Sequence, residues 1–438
     1  MAPGCARYAP REVLEAVPPG PAAVTPAPGT RGPGVHAGAD TITVEEAVAR
    51  VLAANPERYA AWERLRAADA DRVQAGAWRN PEAELEAEGF GGDRDGFEQA
   101  ELTVGLRLPL ELFGTRGLRA DVAEARAVAE RARYQEVSRR LAARTWTAFH
   151  RALAARERVR IAAARVAVTR ETAATLDSQV DAGKISPLAG LRAAVERETA
   201  RAALESAGAD LHTAREELMA LWQESGADSL VLAGELRAGA FLPAAEQLAA
   251  DVLTTHPALI AARWNAERER RAGRLASRER WPDVVPGGGV RWHRDTGEQN
   301  FVAGLGVEVP LFDRGGAARH AAARRAEAAG HDLIALEASL AAELHTLLEE
   351  LEARERALSV YAGEIVPRAE RALVLARAGY DSGKFGYLDL LDAQRTVIDV
   401  EDGRTQALIA YDRTLVRLES LLGRRMSALE STQEKPSP

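Results

Sequence analysis

Several kinds of residue are scarce in this chain of 438 residues. It holds a single cysteine, Cys5, which excludes an internal disulfide and a thiolate metal cluster. Aromatic residues make up 5% of the chain and only three of its 57 basic residues are lysine, whereas alanine accounts for about a fifth. Few aromatics and much alanine favour thin, closely packed helices over a bulky core. Because no run of about 18 apolar residues is present, the sequence predicts no transmembrane helix.

Signals for chemistry are also missing. The net charge of −8 argues against a general nucleic-acid binder. The motifs HExxH, CxxC and GxSxG do not occur, and Ile185 stands where a phosphate-binding loop would need Ser or Thr after Gly183-Lys184. The eight histidines show no ligand spacing. We therefore predict a protein that is not an enzyme, with no catalytic residues, cofactor, metal site or nucleic-acid partner.

Both ends of the chain have compositions typical of disorder. Residues 1–40 contain 8 of the 20 prolines, with Gly and Ala between them, and the polar tail 426–438 ends in a Pro-Ser-Pro sequence. No uninterrupted apolar segment follows the start, so no signal peptide is evident. Lipid attachment at Cys5 stays an alternative, since a small residue precedes it.

The two halves of the sequence repeat each other. Asn55-Pro56 and His256-Pro257 each follow an apolar-periodic stretch and lie 201 positions apart. Pro81 after Trp78 matches Pro282 after Trp281, and Pro109-Leu110 matches Pro310-Leu311, again 201 positions apart. Further along the chain, Gly183-Lys184 recurs 200 positions later as Gly383-Lys384. Several matches at nearly constant spacing indicate a duplication, and each copy is too long for a solenoid repeat. We predict one fold built from two similar halves.

Each half is predicted to contain a helix, a β-hairpin, a very long helix, a Gly turn and a return helix. In the first half, 41–240, these are helix 43–78, hairpin 82–108, long helix 115–180 and return helix 187–222. In the second half, 241–425, these are helix 245–280, hairpin 283–309, long helix 315–380 and return helix 387–423. Thr43 and Glu46 predict a capping box, Pro187 suits a first helical turn, and Pro367 predicts a bend. A helix of about 66 residues spans about 99 Å, which two shorter helices laid end to end would match. The sequence therefore predicts long helical hairpins.

The predicted hairpins alternate in the way of membrane strands. Leu102, Val104 and Leu106 alternate with polar or small residues, and the pattern continues over about ten residues in the second half. Pattern alone fits two ordinary hairpins of a soluble domain equally well. Four strands cannot close a barrel around a pore, so membrane strands would require several chains. The polar positions that would then line the lumen are Glu82, Glu84, Glu86, Glu88, Glu101 and Glu308.

The order and spacing of a set of short motifs resemble those of a known family. The motifs are Asn55-Pro56, Asn80-Pro81, Pro109–Gly114, Pro310–Arg314, the two Gly turns and Leu388–Gln394. With them, about 41–425 resembles the TolC-like outer-membrane efflux proteins, and looks most like the outer-membrane components of heavy-metal resistance–nodulation–division (RND) systems of the CzcC/CusC type.

The resemblance implies a fold and an assembly. The fold is mainly α with a small β part: long antiparallel helical hairpins form an α-barrel, and four strands per protomer join one twelve-stranded β-barrel of a homotrimer. The implied location is the outer membrane, extending into the periplasm. The implied function is passive conduction of substrate, heavy-metal cations in this subgroup. Its implied partners are outer-membrane lipid, a periplasmic adaptor and an inner-membrane RND pump that supplies the energy.

The resemblance also assigns roles to the two Gly turns and to nearby carboxylates. Turns at this place contact the adaptor in the family, and a simple Gly-Lys helix cap is the alternative. The matching residues are Gly183, Lys184, Ile185, Leu188, Gly383, Lys384, Phe385, Tyr387 and Leu388. Aspartates at the place of Asp389 and Asp392 narrow the periplasmic entrance in the family, whereas a solvated helix face is the alternative. Ala189 stands where the first half would match Asp389, which puts a gate bond through that residue in doubt.

Two other functions remain open from the sequence. A soluble coiled-coil scaffold would agree with the absence of an evident signal peptide, but it needs no strands of membrane length. A periplasmic adaptor of the same system also has helical hairpins, but this chain has two long ones and no compact β-rich domain. The efflux channel is the favoured prediction.

Overall fold

The computed structural model describes residues 40–89, 100–226, 230–240, 242–309 and 311–426. The predicted unstructured ends and Cys5 lie outside the described residues, apart from two boundary positions. Asp40 begins the first strand, and Met426 is buried, with its N–H donating to Glu419 Oε1 at 2.7 Å. Most of the predicted first hairpin loop and Pro310 also lie outside.

The described residues are mostly helical with a few strands, as the sequence predicts. The strands are β1 (Asp40–Ile42), β2 (Glu82–Glu88), β3 (Glu101–Arg107), β4 (Leu230–Leu232), β5 (Val284–His293) and β6 (Gln299–Val307). The helices are α1 (Val44–Ala54), α2 (Pro56–Ala75), α3 (Thr115–Asp181), α4 (Pro187–Ala220), α5 (Ala245–Thr255), α6 (Pro257–Arg278), α7 (Gly316–Val360), α8 (Val366–Asp381) and α9 (Tyr387–Leu422). Among these residues, none of the helices combines the length and apolar character needed to cross a bilayer.

The helices expected at 43–78 and 245–280 are each broken in two. The breaks fall at Asn55-Pro56 and His256-Pro257, where the residue before proline is extended. A proline lacks the N–H that would continue the helix, and it disfavours helical geometry in the residue before it. Asn55 uses the break: its Nδ2 donates to the Leu221 carbonyl at 2.8 Å and its Oδ1 accepts from the Glu57 N–H at 2.9 Å.

The second long helix is also interrupted. A five-residue π-helical segment, Tyr361–Ile365, separates α7 from α8, where the sequence predicted a bend at Pro367. Pro367 cannot donate to the carbonyl four residues earlier, so the wider turn just before it accommodates the missing bond. Gly403 on α9 gives the segment room, since a Cβ there would lie 2.8 Å from the Tyr361 hydroxyl.

The chain divides into two compact units. The helical unit combines the described residues among 1–60, 136–256 and 340–438. Its core gathers β1, β4 and the apolar faces of α1, α3 and α4, with Ile42, Leu141, Leu153 and Leu218 almost fully buried. β1 and β4 pair in parallel, an element that the sequence analysis did not predict. The capping box of Thr43 and Glu46 is confirmed: the Thr43 N–H donates to Glu46 Oε2 at 2.9 Å, and the Glu46 N–H donates to Thr43 Oγ1 at 3.2 Å.

The sheet unit comprises Ala61–Gln135 and Pro257–Ser339. Its strands form an antiparallel sheet in the order β2-β3-β5-β6, so the hairpins of the two halves join through β3 and β5. Alanines dominate the packing of its helices, with Ala68, Ala125 and Ala129 at most 1% exposed, and the rings of Trp62 and Tyr134 lie 5.4 Å apart. Small side chains allow close approach of helices, as the composition indicated.

Candidate functional site

The turn between α3 and α4 is a tight reversal fixed by its backbone. Gly183 adopts the left-handed conformation, with φ +68°. Its N–H donates to the Val180 carbonyl at 2.8 Å, and the Lys184 N–H donates to the Gln179 carbonyl at 2.9 Å. This pair of bonds is a Schellman motif, which requires positive φ and therefore favours glycine.

The turn between α8 and α9 has the same geometry. Gly383 has φ +70°, its N–H donates to the Tyr380 carbonyl at 2.9 Å, and the Lys384 N–H donates to the Gly379 carbonyl at 2.8 Å. The side chains of Lys184 and Lys384 are exposed and form no ion pair within the described parts of the chain. Each turn therefore presents one unneutralised cation to solvent.

Apolar residues at the turns divide into two groups. Ile185 and Tyr387 pack against a small core formed by Ala173, Leu176, Ala193 and Leu391. Phe385, Leu188 and Leu388 are instead 48%, 54% and 68% exposed. Ile185 and Tyr387 hold the turns in place, whereas the exposed group forms an apolar surface beside the two lysines.

Asp389 is a helix cap as well as an exposed carboxylate. Its Oδ2 accepts from the Gly386 N–H at 2.8 Å, at the start of α9. In the first turn, Ser186 does the capping, because its Oγ accepts from the Leu188 N–H at 3.3 Å. Ser186, which caps α4, is thus followed three residues later by Ala189. Gly386 has no side chain to cap α9, and Asp389, three residues later, supplies the acceptor instead. Asp392 lies one helical turn further on α9, exposed and without an ion pair in the described residues.

Two ion pairs near these aspartates were missed from the sequence. Arg165 on α3 pairs with Asp399 on α9, and Arg395 on α9 pairs with Glu196 on α4. They border a cavity of about 260 Å³ lined by threonines and by Ile398. All four side chains are substantially exposed, so each pair contributes at most about 1 kcal/mol. Their partners are about 200 residues apart in sequence, which leaves no local signal.

The sheet has one acidic face. The register places the β2 glutamates on the same side as Glu101, Arg107, Arg291 and His293. Arg107 Nε lies 2.9 Å from Glu84, and Arg291 bonds Glu101 at 3.0 Å and approaches Glu88 at 3.5 Å. Glu82 and Glu86 have no ion pair in the described residues, so five carboxylates face two arginines. Glu308 follows β6 and lines the same recess.

Glycines make a recess in this acidic face. Gly105, Gly287, Gly289 and Gly304 occupy neighbouring positions on its three other strands. A Cβ at Gly289 would lie 2.5 Å from the Val104 carbonyl oxygen, so β3 and β5 approach too closely for a side chain there. The recess, of about 500 Å³, lies beside the free carboxylates.

The opposite face of the sheet is apolar and uncovered. Leu85, Leu106, Leu305 and Phe301 are 72%, 61%, 68% and 94% exposed. Single exposed apolar residues are ordinary, but a continuous apolar sheet face indicates contact with lipid or with another protein.

Where the strands meet the helices, Glu111 organises a junction. Its side chain is fully buried and receives a bidentate pair of bonds from Arg119, while Arg79 Nε lies 3.3 Å away. The hydrogen bond from Arg119 lowers the pKa of Glu111 despite the opposing effect of burial. Arg79 also pairs with Asp283 at 2.9 Å. Glu111 therefore stays ionised and fixes the exit from β3 and the entry to β5.

A buried ionic cluster in the helical unit was also missed. His150 Nδ1 lies 2.6 Å from Asp412, and Arg237 bonds both Asp412 at 3.2 Å and Glu419 at 2.6 Å. Burial opposes ionisation of Asp412, but the hydrogen bond and charge of His150, with Arg237, lower its pKa. The available signal was that Asp412 and Glu419, seven apart, interrupt an apolar helix face. The cluster fastens the segment after β4 onto α9.

Metal ligands do not gather anywhere in the described ranges, since no group of three His, Cys, Asp or Glu side chains is arranged to hold an ion. The predicted site residues instead form two separate features. One is the pair of turns in the helical unit, and the other is the acidic face in the sheet unit. The chemistry available at both is electrostatic attraction and apolar docking.

Comparisons with known proteins agree on one family. A family model described as "outer membrane efflux protein" matches residues 47–223 and 248–424. The chain is 28% identical to the cobalt-zinc-cadmium resistance protein CzcC of Cupriavidus metallidurans, over 88% of this chain and 91% of that protein. It is 32% identical to the nickel and cobalt resistance protein CnrC of the same organism, over 66% and 69%. The outer-membrane channel OprN has the same fold, with a TM-score of 0.74 and 22% identity over 87% of this chain and 90% of that one.

Proposed function

Because the chain belongs to the outer membrane efflux protein family, we propose that it is the outer-membrane channel of a tripartite efflux system of the RND type. It conducts substrate passively from the pump and adaptor to the exterior. Heavy-metal cations are the proposed substrate, in keeping with the cobalt, zinc, cadmium and nickel resistance named for its relatives. The family match supports the channel over the soluble scaffold and the periplasmic adaptor.

The observation that carries this proposal is the two-faced sheet. An uncovered apolar face and an acidic face on the same four strands are the arrangement that a membrane pore wall needs. The apolar face would contact the hydrocarbon of the outer membrane, and the acidic face would line the lumen. The path of the substrate is then lined by Glu82, Glu84, Glu86, Glu88 and Glu101. Glu308 lies at the end of this path that is next to the helices.

The sheet also supports a homotrimer. β2 and β6 are the outermost strands in the described sheet, and each has one edge without a partner. Unpaired backbone groups are too costly in a membrane, so the edges must pair with other copies. Three copies would close a barrel of twelve strands, and their helical hairpins would form the α-barrel that the resemblance implies.

The two turns are the proposed contact with the adaptor. Each offers a rigid reversal, one free lysine and exposed apolar side chains, and apolar anchors ringed by charge are typical of protein interfaces. The contact set is Gly183, Lys184, Leu188, Gly383, Lys384, Phe385 and Leu388, with Ile185 and Tyr387 supporting it from behind. Asp389 and Asp392, close to the second turn, are the proposed entrance residues. Three copies would place six carboxylates there, which favours cations.

A metal-tolerance experiment tests the function. Deleting the gene in its host should reduce growth at raised cobalt, zinc, cadmium or nickel, and the wild-type gene should restore it. A Gly183→Pro variant should fail to restore tolerance, because proline cannot adopt a positive φ. Full tolerance in the deletion strain for all four metals, with the chain absent from the outer membrane of the wild type, would contradict the proposal.

A further inference from the structure

A second recess lies in the sheet unit, among the helices next to the strands. It has a volume of about 880 Å³ and is lined by the end of α6 and the beginnings of α3 and α7. Leu112 lies five residues beyond β3, and Arg278 lies six residues before β5. At about 3.5 Å per residue, both lie within about 20 Å of the strand ends. The recess is therefore at the level where the chain would leave the membrane.

One side of the recess carries surplus positive charge. Arg270, Arg274, Arg278 and Arg319 line it. Arg270, Arg271 and Arg274 share the carboxylate of Glu267, at distances of 3.1 to 3.4 Å, and Arg271 also lies 3.9 Å from Glu124. Burial opposes the ionisation of Glu267, but the hydrogen bond from Arg271 and the neighbouring arginines lower its pKa, so it stays a carboxylate.

The carboxylate in the lining itself does not neutralise this surplus. Glu269 is also a lining residue, and it is paired with Arg268. Arg278 has no ion pair among the described residues. This differs from the nearby Glu111 junction, where Arg79 is shared between Glu111 and Asp283. Guanidinium groups with spare donors are suited to a phosphate.

Apolar residues also line the recess. Leu112, Phe113, Leu118 and Ala322 line it, and Leu112 is 61% exposed. Phe113 stacks on Trp281 at 5.5 Å, and Trp281 is itself 44% exposed. Tryptophan beside a lipid-facing strand is typical of the membrane–water interface. A ligand that matches both the arginines and the apolar residues of this lining must carry an anionic group and a hydrocarbon chain together.

We propose that this recess binds an anionic phospholipid of the membrane leaflet that faces the helices. The headgroup phosphate bonds Arg274 and Arg278, and the beginning of an acyl chain lies along Leu112 and Phe113 toward the uncovered apolar face of the sheet. The proposal rests on the proposed function, because that function places the strands in a membrane. Charge complementarity and the apolar residues Leu112 and Phe113 in the same lining select a lipid over a free anion.

Lipid retention in detergent tests the proposal. The full chain is purified, incubated with mixed micelles of phosphatidylcholine with or without phosphatidylglycerol, and examined by native mass spectrometry. The wild type should retain phosphatidylglycerol in preference to phosphatidylcholine. The variant Arg274→Gln/Arg278→Gln should retain about 30-fold less, since each arginine near an anionic headgroup contributes about 1 kcal/mol and 1.4 kcal/mol is tenfold. The matched control Arg324→Gln/Arg325→Gln removes the same charge from exposed positions of α7 outside the recess and should retain the wild-type amount.

Two further arms separate the other occupants. Leu112→Gln should weaken retention of phosphatidylglycerol, and inorganic phosphate should not displace it. Equal retention by the wild type and Arg274→Gln/Arg278→Gln would overturn the proposal. So would displacement by inorganic phosphate with no effect of Leu112→Gln, which indicates a free-anion site. A change of oligomeric mass in Arg274→Gln/Arg278→Gln at unchanged lipid retention would assign the recess to a second copy of the chain, and would likewise overturn it.

Failure of the channel itself would give a different result. Retention in detergent reports on the recess whether or not the chain conducts. If the proposed function were wrong, reconstituted wild-type protein would show no conductance in planar bilayers while its lipid retention still followed the arginines.

Discussion

Among single residues, Asp389 has two roles for one carboxylate. It caps α9 by accepting from the Gly386 N–H, and it is also a proposed entrance residue. In the turn between α3 and α4, Ser186 is the cap, and Ala189 stands at the position that matches Asp389. Capping therefore explains why the second half has Asp389 where the first half has Ala189.

An exchange of caps separates the two roles. Asp389→Ala should destabilise the start of α9 by about 1 kcal/mol, because the Gly386 N–H loses its acceptor. Gly386→Ser/Asp389→Ala copies the first turn and should recover most of that loss. Hydrogen exchange of the α9 amides measures both. The control Asp392→Ala removes a neighbouring exposed carboxylate and should leave exchange unchanged. A double variant as labile as Asp389→Ala would contradict the capping account.

His256 predicts how stability depends on pH. Burial, aided by the charge of Arg139, lowers its pKa below the ordinary 6.5. Below pH 6.5 the unfolded chain therefore takes up a proton that the folded chain does not. The contribution of His256 to the free energy of unfolding should fall as pH decreases from about 6.5 toward the folded pKa, and this contribution should be level above 6.5. Urea unfolding of wild type and His256→Asn across this range measures it. A slope at His256→Asn equal to that of wild type would refute the assignment.

At the scale of helices and strands, the sequence predicts turns and helix caps but does not predict which distant segments pair. The Schellman turns follow from Gly183 and Gly383, and the cap of α1 follows from Thr43 and Glu46, because each depends on residues within five positions. The sheet order depends on β3 meeting β5, and nothing local in either strand specifies that partner. Likewise Arg165 and Asp399 are far apart in sequence, so the ion pair could not be foreseen. The turn residues of the candidate site were thus accessible, whereas the network around them was not.

The π-helical segment gives a prediction about two packed helices. Gly403→Leu should destabilise the chain by about 1–3 kcal/mol, because the new side chain overlaps the Tyr361 ring. Gly208→Leu is the matched control on α4, where a Cβ meets nothing within 4 Å. Adding Tyr361→Ala to Gly403→Leu should restore part of the loss. Thermal unfolding of wild type, these three variants and Tyr361→Ala alone compares them, and additive losses in the double variant would count against the contact.

For the whole molecule, the two faces of the sheet make opposite predictions for the same substitution. Val104→Arg places a charge on the proposed lipid face, at a cost of about 2–4 kcal/mol near the bilayer centre, and should abolish recovery of a trimer from the outer membrane. Glu86→Arg places the same residue on the acidic face, should assemble normally, and should reduce the preference for cations in planar bilayers. Normal trimer from Val104→Arg, or failed assembly only of Glu86→Arg, would reverse the assignment of the faces.

The pairing of β3 with β5 has a consequence for synthesis of the chain. Glu101 pairs opposite His293, so the first hairpin cannot find its neighbour until almost 200 further residues have left the ribosome. At about 5–20 residues per second, that interval is on the order of 10–40 s. Throughout that interval, the edge of β3 that later pairs with β5 has no partner. One face of the same strand carries Leu102, Val104 and Leu106, and an unpaired edge on an apolar strand is the kind of surface that aggregates. The nascent first half is therefore prone to aggregation until β5 has been made.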